Sequence, residues 1–219
     1  MDRWATFDCY GTLIDWNGGI GRELERLFGV EQVSRLLHGY HERERAIERE
    51  RPAASYREVL TTSLAQLAEH DGLPLPADEH DALARSLPSW QPFPEVPAAL
   101  EDARGRGWRL AILSNTDRDF IDASLSLIDV PFDAVIVASE IGSYKPAPKH
   151  WEAFDSLTGA PRDGHVHVGA SLFHDVAPAT QLGLPTIWIN RLGEEAEPRP
   201  SVELHSLTGL GDALDSLVP

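Results

Sequence analysis

The stretch "WATFDCYGTLIDW" occupies residues 4–16. Its first half is apolar and reads as a buried strand. The strand stops on a carboxylate, Asp8, and the chain then breaks at Tyr10-Gly11-Thr12. Burying an unpaired charge is costly. A strand ending on a carboxylate is nevertheless useful in an open parallel sheet, where ligands bind beyond the carboxyl ends of the strands. The stretch therefore predicts a strand over residues 4–8 that delivers Asp8 to a crevice.

The rest of the chain can be read outward from that strand. Residues 20–38, 40–51, 56–70 and 77–87 mix charged and apolar positions at helical spacing. Pro52 ends the second of these helices. No strand interrupts this block. Beyond Pro88, helices at 94–106, 117–128, 147–158 and 175–182 alternate with strands at 108–115, 132–139, 165–170 and 185–190. That alternation predicts right-handed crossovers and a parallel sheet. The expected fold is α/β, a Rossmann-like parallel sheet core with an inserted helical cap. The core takes residues 1–14 and 91–219, and the cap residues 15–90. Four strand ends carry polar side chains: Asp8, Ser114-Asn115, the segment before Lys145, and Ala170-Ser171 followed by Asp175. These ends should converge on one crevice.

Composition limits the partners. The net charge of −16 repels nucleic acid and anionic membranes. No apolar run reaches the roughly 18 residues that span a bilayer, and no signal-peptide pattern opens the chain. The single cysteine, Cys9, allows no intrachain disulfide and suits a reducing cytoplasm. An anionic substrate would need positive charge at the entrance, and the arginine-rich segment 41–51 could supply it. The plain alternative for that segment is a solvated helix with i,i+4 pairs.

Four ordered motifs carry a family resemblance. They are "FDCYGTL" (7–13), "LSNT" (113–116), "YKP" (144–146) and "HVGASLFHD" (167–175), followed by "GLPTIWINR" (183–191). In this order the chain resembles the haloacid dehalogenase-like superfamily, in particular the type II L-2-haloacid dehalogenases. The resemblance implies that Asp8 is a nucleophile forming a covalent ester, with a cap closing over it. It also implies that Lys145 is the cation beside Asp8, and that Asp175 activates water or pairs with the lysine. Thr12, Ser114 and Asn115 would donate hydrogen bonds to Asp8 or to substrate oxygens.

Two departures bear on the chemistry. Phosphatases of the superfamily carry a second aspartate where this chain has Tyr10. An unperturbed tyrosine, with a pKa of about 10, is a poor acid for an alcohol leaving group, whereas a halide leaves without a proton. The magnesium-binding aspartate of those phosphatases falls on Ala170. No metal is therefore required on this reading, although magnesium on Asp8, the Tyr10 carbonyl and Asp175 stays open. Trp151 falls on a substrate-pocket tyrosine of the dehalogenases. The cap arginine aligns near Tyr40-His41, with Arg43 and Arg45 close by. Ser171 stands within the fourth motif, and His174 reads as a packing neighbour of Asp175 or a substitute base. The leading expectation is cleavage of a small anionic 2-haloacid, with a homodimer as one form of assembly. The alternatives are a magnesium-dependent phosphatase of a small phosphate ester and a non-catalytic binding protein that retains the scaffold.

Overall fold

The computed structural model describes residues 2–219. Six strands form one all-parallel sheet: β1 (Arg3–Phe7), β2 (Trp108–Ser114), β3 (Ala134–Val137), β4 (His165–Gly169), β5 (Thr186–Ile189) and β6 (Val202–Leu204). Their spatial order is β3-β2-β1-β4-β5-β6. From β1 the chain builds outward to β2 and β3, then crosses back to lay β4 against the other side of β1. The direction reverses at β1 and β4, which is where an open α/β sheet forms its crevice. Asp8 and Asp175 follow these two strands.

Both faces of the sheet are covered. Ala5, Phe7, Ile112, Val166, Val168 and Ile187 belong to the larger apolar cluster. The helices on that face are α5 (Val96–Gly105), α6 (Arg118–Ile128) and α10 (Leu210–Leu217). Trp4, Ala111, Leu113, Ala134 and Ile136 meet Trp151 and Phe154 on the opposite face. There α8 (Lys149–Thr158) and α9 (Ala177–Gln181) complete the layer. Alternation along each strand sends neighbouring side chains to opposite layers.

Among the described residues, four α-helices lie between β1 and α5: α1 (Trp16–Phe28), α2 (Val33–Glu50), α3 (Tyr56–His70) and α4 (Ala82–Ser86). Their starts follow local chemistry. Asp15 caps α1 by accepting from the Gly18 N–H at 2.9 Å. Ser55 and Glu58 form a reciprocal capping box on α3. The break between the first two helices falls at Gly29, not near residue 39 as periodicity suggested. Gly29 has φ 88°, a conformation that favours glycine, whereas Gly39 continues the helix. A Cβ on Gly39 would stand 3.2 Å from Leu67, so glycine there lets α2 and α3 approach.

Three further differences concern the core. The segment 132–139 is a shorter strand whose end turns into α7 (Ala138–Ile141). The helix expected from 175 begins earlier, as a π-helical turn at Leu172–Val176. β6 and α10 were not expected. Among the described residues, no helix is long and apolar enough to cross a membrane.

Candidate active site

Asp8 follows β1 directly. Its Oδ2 accepts from Thr12 Oγ1 at 2.8 Å, and its Oδ1 accepts from Lys145 Nζ at 3.0 Å. Thr12 Oγ1 in turn accepts from the Ala170 N–H at 2.9 Å. The loops after β1 and β4 are thus tied together through one hydroxyl. Lys145 Nζ also donates to Asp175 Oδ1 at 2.6 Å. The side chains of Lys145 and Asp175 are each 1% exposed, while that of Asp8 is 13% exposed. Asp8 is the most exposed member of the trio.

The electrostatics divide the two carboxylates. Burial pushes Asp8 above its ordinary value, the like charge of Asp175 adds to this, and Lys145 offsets it only in part. The lysine beside Asp8 therefore does not bring its carboxyl below the ordinary value. Burial also acts upward on Asp175, but Lys145 and His167 outweigh it and hold Asp175 well below the carboxylate range. Burial alone would lower Lys145; the two carboxylates together raise it. Asp175 is a fixed anion, and Asp8 is the less stabilised one.

Asp175 is placed by its backbone. The Ser171 N–H donates to its Oδ2 at 3.1 Å, and Ser171 Oγ accepts from the His174 N–H at 3.0 Å. A Cβ on Gly169 would lie 2.5 Å from the Asp175 Cβ, so only glycine ending β4 lets this carboxylate fold back over the strand. Ser171 thus shapes the turn that holds Asp175.

Several expected residues take other places. Asn115 does not face Asp8. Its amide clamps the backbone of Lys145, donating to the carbonyl at 3.0 Å and accepting from the N–H at 2.6 Å. Ser114 Oγ is buried and has no protein hydrogen-bond partner. The Tyr10 hydroxyl pairs with Ser124 Oγ on α6 at 3.0 Å, and its ring stacks on Tyr56 at 6.1 Å between centroids. Trp151 is a core residue rather than a pocket wall. Its ring meets His167 edge-on at 5.1 Å beneath the sheet edge. His41 stacks against Trp16 at 4.5 Å, and burial lowers it to about 4. It is therefore neutral at pH 7. Arg43 turns back to donate to the Gly39 carbonyl.

A cleft of about 670 Å³ opens beside Lys145 between α2 and the core loops. Arg45, Glu48, Arg49, Tyr144, Phe173 and His174 are among its walls. His174 Nε2 lies 3.4 Å from Glu48 Oε2, joining the π-helical turn to α2. Next to this cleft, Glu44 is buried without a paired cation. It accepts from Tyr56 OH at 2.7 Å and from Tyr40 OH at 3.3 Å. Burial first, then the neighbouring Glu48, pushes it well above the carboxylate range.

The sequence reading missed the role of Glu44 and three buried histidines: His150, His165 and His167. The alternation in "HVHV" (165–168) was the available signal, since it puts His165 and His167 on one face of β4. His150 is held by the Ser114 carbonyl at 3.1 Å, and burial lowers it to about 3.

The sequence pattern of haloacid dehalogenase-like hydrolases matches residues 3–183. The chain belongs to this family. Among haloacid dehalogenase-like relatives, the (S)-2-haloacid dehalogenase of Pseudomonas sp. (strain YL) is 30% identical over 230 aligned residues, covering 96% of this chain and 93% of that protein. The haloacetate dehalogenase H-2 of Moraxella sp. (strain B) is 31% identical, with 85% of each chain covered. A solved L-2-haloacid dehalogenase superposes with a TM-score of 0.89 at 25% identity, covering 98% of this chain and 99% of the other. The haloacid dehalogenase-like fold thus accounts for nearly the whole chain, and the protein is a hydrolase of that family.

Proposed function

We propose that the protein hydrolyses the carbon–halogen bond of small 2-haloalkanoic acids through an ester on Asp8. The supporting observation is the environment of the nucleophile. Asp8 is oriented by Thr12 and Lys145, and the position two residues later holds a tyrosine whose hydroxyl is engaged by Ser124. No carboxylic acid stands there to protonate an alcohol. A leaving group that departs as a stable anion fits this site.

In the first half, an Asp8 oxygen attacks C2 and the halide leaves with the bonding pair. In the second, water adds to Cγ of Asp8 while Asp175 takes its proton. Collapse expels the 2-hydroxyacid oxygen, which recovers that proton, and the second water proton leaves the Asp8 carboxyl for solvent, restoring the carboxylate. Lys145 balances charge throughout, and the free Ser114 hydroxyl is available to a substrate oxygen. The helices of residues 15–90 act as the cap. Arg45, Arg49 and Lys145 outnumber Glu42 and Glu48 in the lining of the cleft, a small positive balance within an acidic protein.

Metal does not fit the donor set well. Asp175 Oδ1 holds the Lys145 ammonium, its Oδ2 holds the Ser171 N–H, and Ala170 offers no ligand. Turnover should therefore persist in chelator. The test is halide release from chloro-, bromo- and fluoroacetate and from both enantiomers of 2-chloropropionate, with and without EDTA. Release unaffected by EDTA supports the reading. No release from any of these acids, or strict dependence on magnesium, refutes it.

A further inference from the structure

On the α8 side of the sheet, three polar side chains lie within an apolar layer: Thr6 on β1, and His165 and His167 on β4. Thr6 and His167 are register partners across the two strands. Thr6 Oγ1 is 2.9 Å from His167 Nδ1 and 2.8 Å from His165 Nε2. His167 Nε2 is 3.4 Å from Asp175 Oδ1. All four residues are buried. Of the four, only Asp175 has a task in the hydrolytic route above; Thr6, His165 and His167 have none there.

The direction of every hydrogen bond in it can be derived. Asp175 is ionised and can only accept. His167 Nε2 must then carry the proton and donate. Burial keeps His167 neutral, its value lying below that of a free imidazole, so Nδ1 is an acceptor. The Thr6 hydroxyl donates to that nitrogen. The Thr6 oxygen accepts in turn from His165 Nε2–H. The sequence runs His165, Thr6, His167, Asp175, with each member donating to the next.

The consequence appears at the carboxylate. Each oxygen of Asp175 has two lone pairs. Both pairs of Oδ1 are engaged, one by Lys145 and one by His167. Among the described residues, Oδ2 accepts only from the Ser171 N–H, which leaves one pair free. We propose that His167 is a positioning residue for ester hydrolysis: by filling Oδ1 it reserves Oδ2 of Asp175 as the oxygen that takes the proton from water. The inference rests on the ester route proposed above. Once Asp8 is esterified, Lys145 has a single carboxylate left to pair with. His167 then holds Oδ1 beside Lys145 and keeps the carboxylate from turning its free pair toward the ammonium.

The experiment uses H167L and H167Q of the full chain with a haloacid that the wild type turns over. Leucine fits the apolar layer and removes the donor. Glutamine carries an amide N–H near the place of Nε2. H167L should release one halide per site at a near wild-type rate and then slow about 10–100-fold, the range for lost outer-sphere support of a reacting group. H167Q should recover most of the steady rate. Nitrogen-15 NMR of the wild type, with the signal assigned by its loss in H167Q, should show a neutral His167 protonated on Nε2. Equal slowing of the first turnover and the steady state, or no slowing in H167L, overturns the proposal. So does no recovery in H167Q, or a His167 protonated on Nδ1. A wild type that releases no halide removes the ester route itself, and the NMR tautomer then decides the hydrogen-bond chain alone.

Discussion

Replacing Lys145 with methionine tests the electrostatic trio most severely. Methionine keeps much of the side-chain length and removes the charge. Two contacts are lost, at 3.0 Å to Asp8 and 2.6 Å to Asp175. At an effective dielectric of about 20, each is worth roughly 5–6 kcal/mol of gross attraction. Desolvation of the three ions offsets much of this, and breaking a buried pair by removing one partner costs roughly 3–5 kcal/mol net. For a chain of this length each kcal/mol shifts the melting temperature by about 2–4 °C. K145M should therefore melt about 6–20 °C lower at pH 7.5. The contribution of Asp175 to the pH dependence should also change sign. In the wild type Asp175 is depressed, so its stabilisation is present above the unfolded value and is lost as pH falls through the folded value. In K145M both carboxyls are raised, so the folded state binds more protons than the unfolded one and stability increases on acidification from pH 8 to 5. Urea unfolding at several pH values reads both effects. A loss below about 1 kcal/mol, the size of a surface pair, with no change in pH slope would refute the reasoning.

The other predictions follow from individual groups. S114A removes a buried hydroxyl that has no protein partner, so it should cost less than about 0.5 kcal/mol of stability while lowering halide release; a stability loss without an activity loss would assign Ser114 to the core. E44Q should leave stability unchanged or improved, because burial and the neighbouring Glu48 push the Glu44 carboxyl toward its neutral form; a loss above about 2 kcal/mol in urea unfolding would indicate a buried carboxylate that needs its charge. Asp8 attacks as an anion and is raised above 3.8, so kcat/KM should fall as pH drops through a value higher than that; an acid limb at or below 3.8 would contradict the shared-cation account.

The sheet and its crevice were legible because β1 to β5 are short, largely apolar runs, and β1 and β2 lead directly to Asp8 and Ser114-Asn115. Strand–helix alternation fixes a parallel sheet almost without alternatives. Asp8, Thr12, Lys145 and Asp175 were readable as a set because their motifs close successive strands. Residues whose role depends on direction were harder. Asn115 stands at a strand end, yet its amide turns to the Lys145 backbone. Trp151 is one turn into α8 and points beneath the sheet. Periodicity reports a face and not the neighbour it meets. β6 was missed because three half-buried edge residues, Val202–Leu204, give no alternation long enough to register. Glu44 reads as one more charge in "HERERAIERE", and only the packing of α2 on α3 shows that it is buried between two tyrosines.

The central claim is that Asp8 becomes an ester whose carbonyl carbon water attacks. One turnover in heavy-oxygen water, with enzyme in excess over a haloacid, tests this directly by mass spectrometry of the peptide containing residues 4–16. The account predicts one heavy oxygen in the Asp8 carboxyl and an unlabelled hydroxyl in the product. Label in the product hydroxyl with none in the peptide would mean that water displaces the halide itself, and would contradict it.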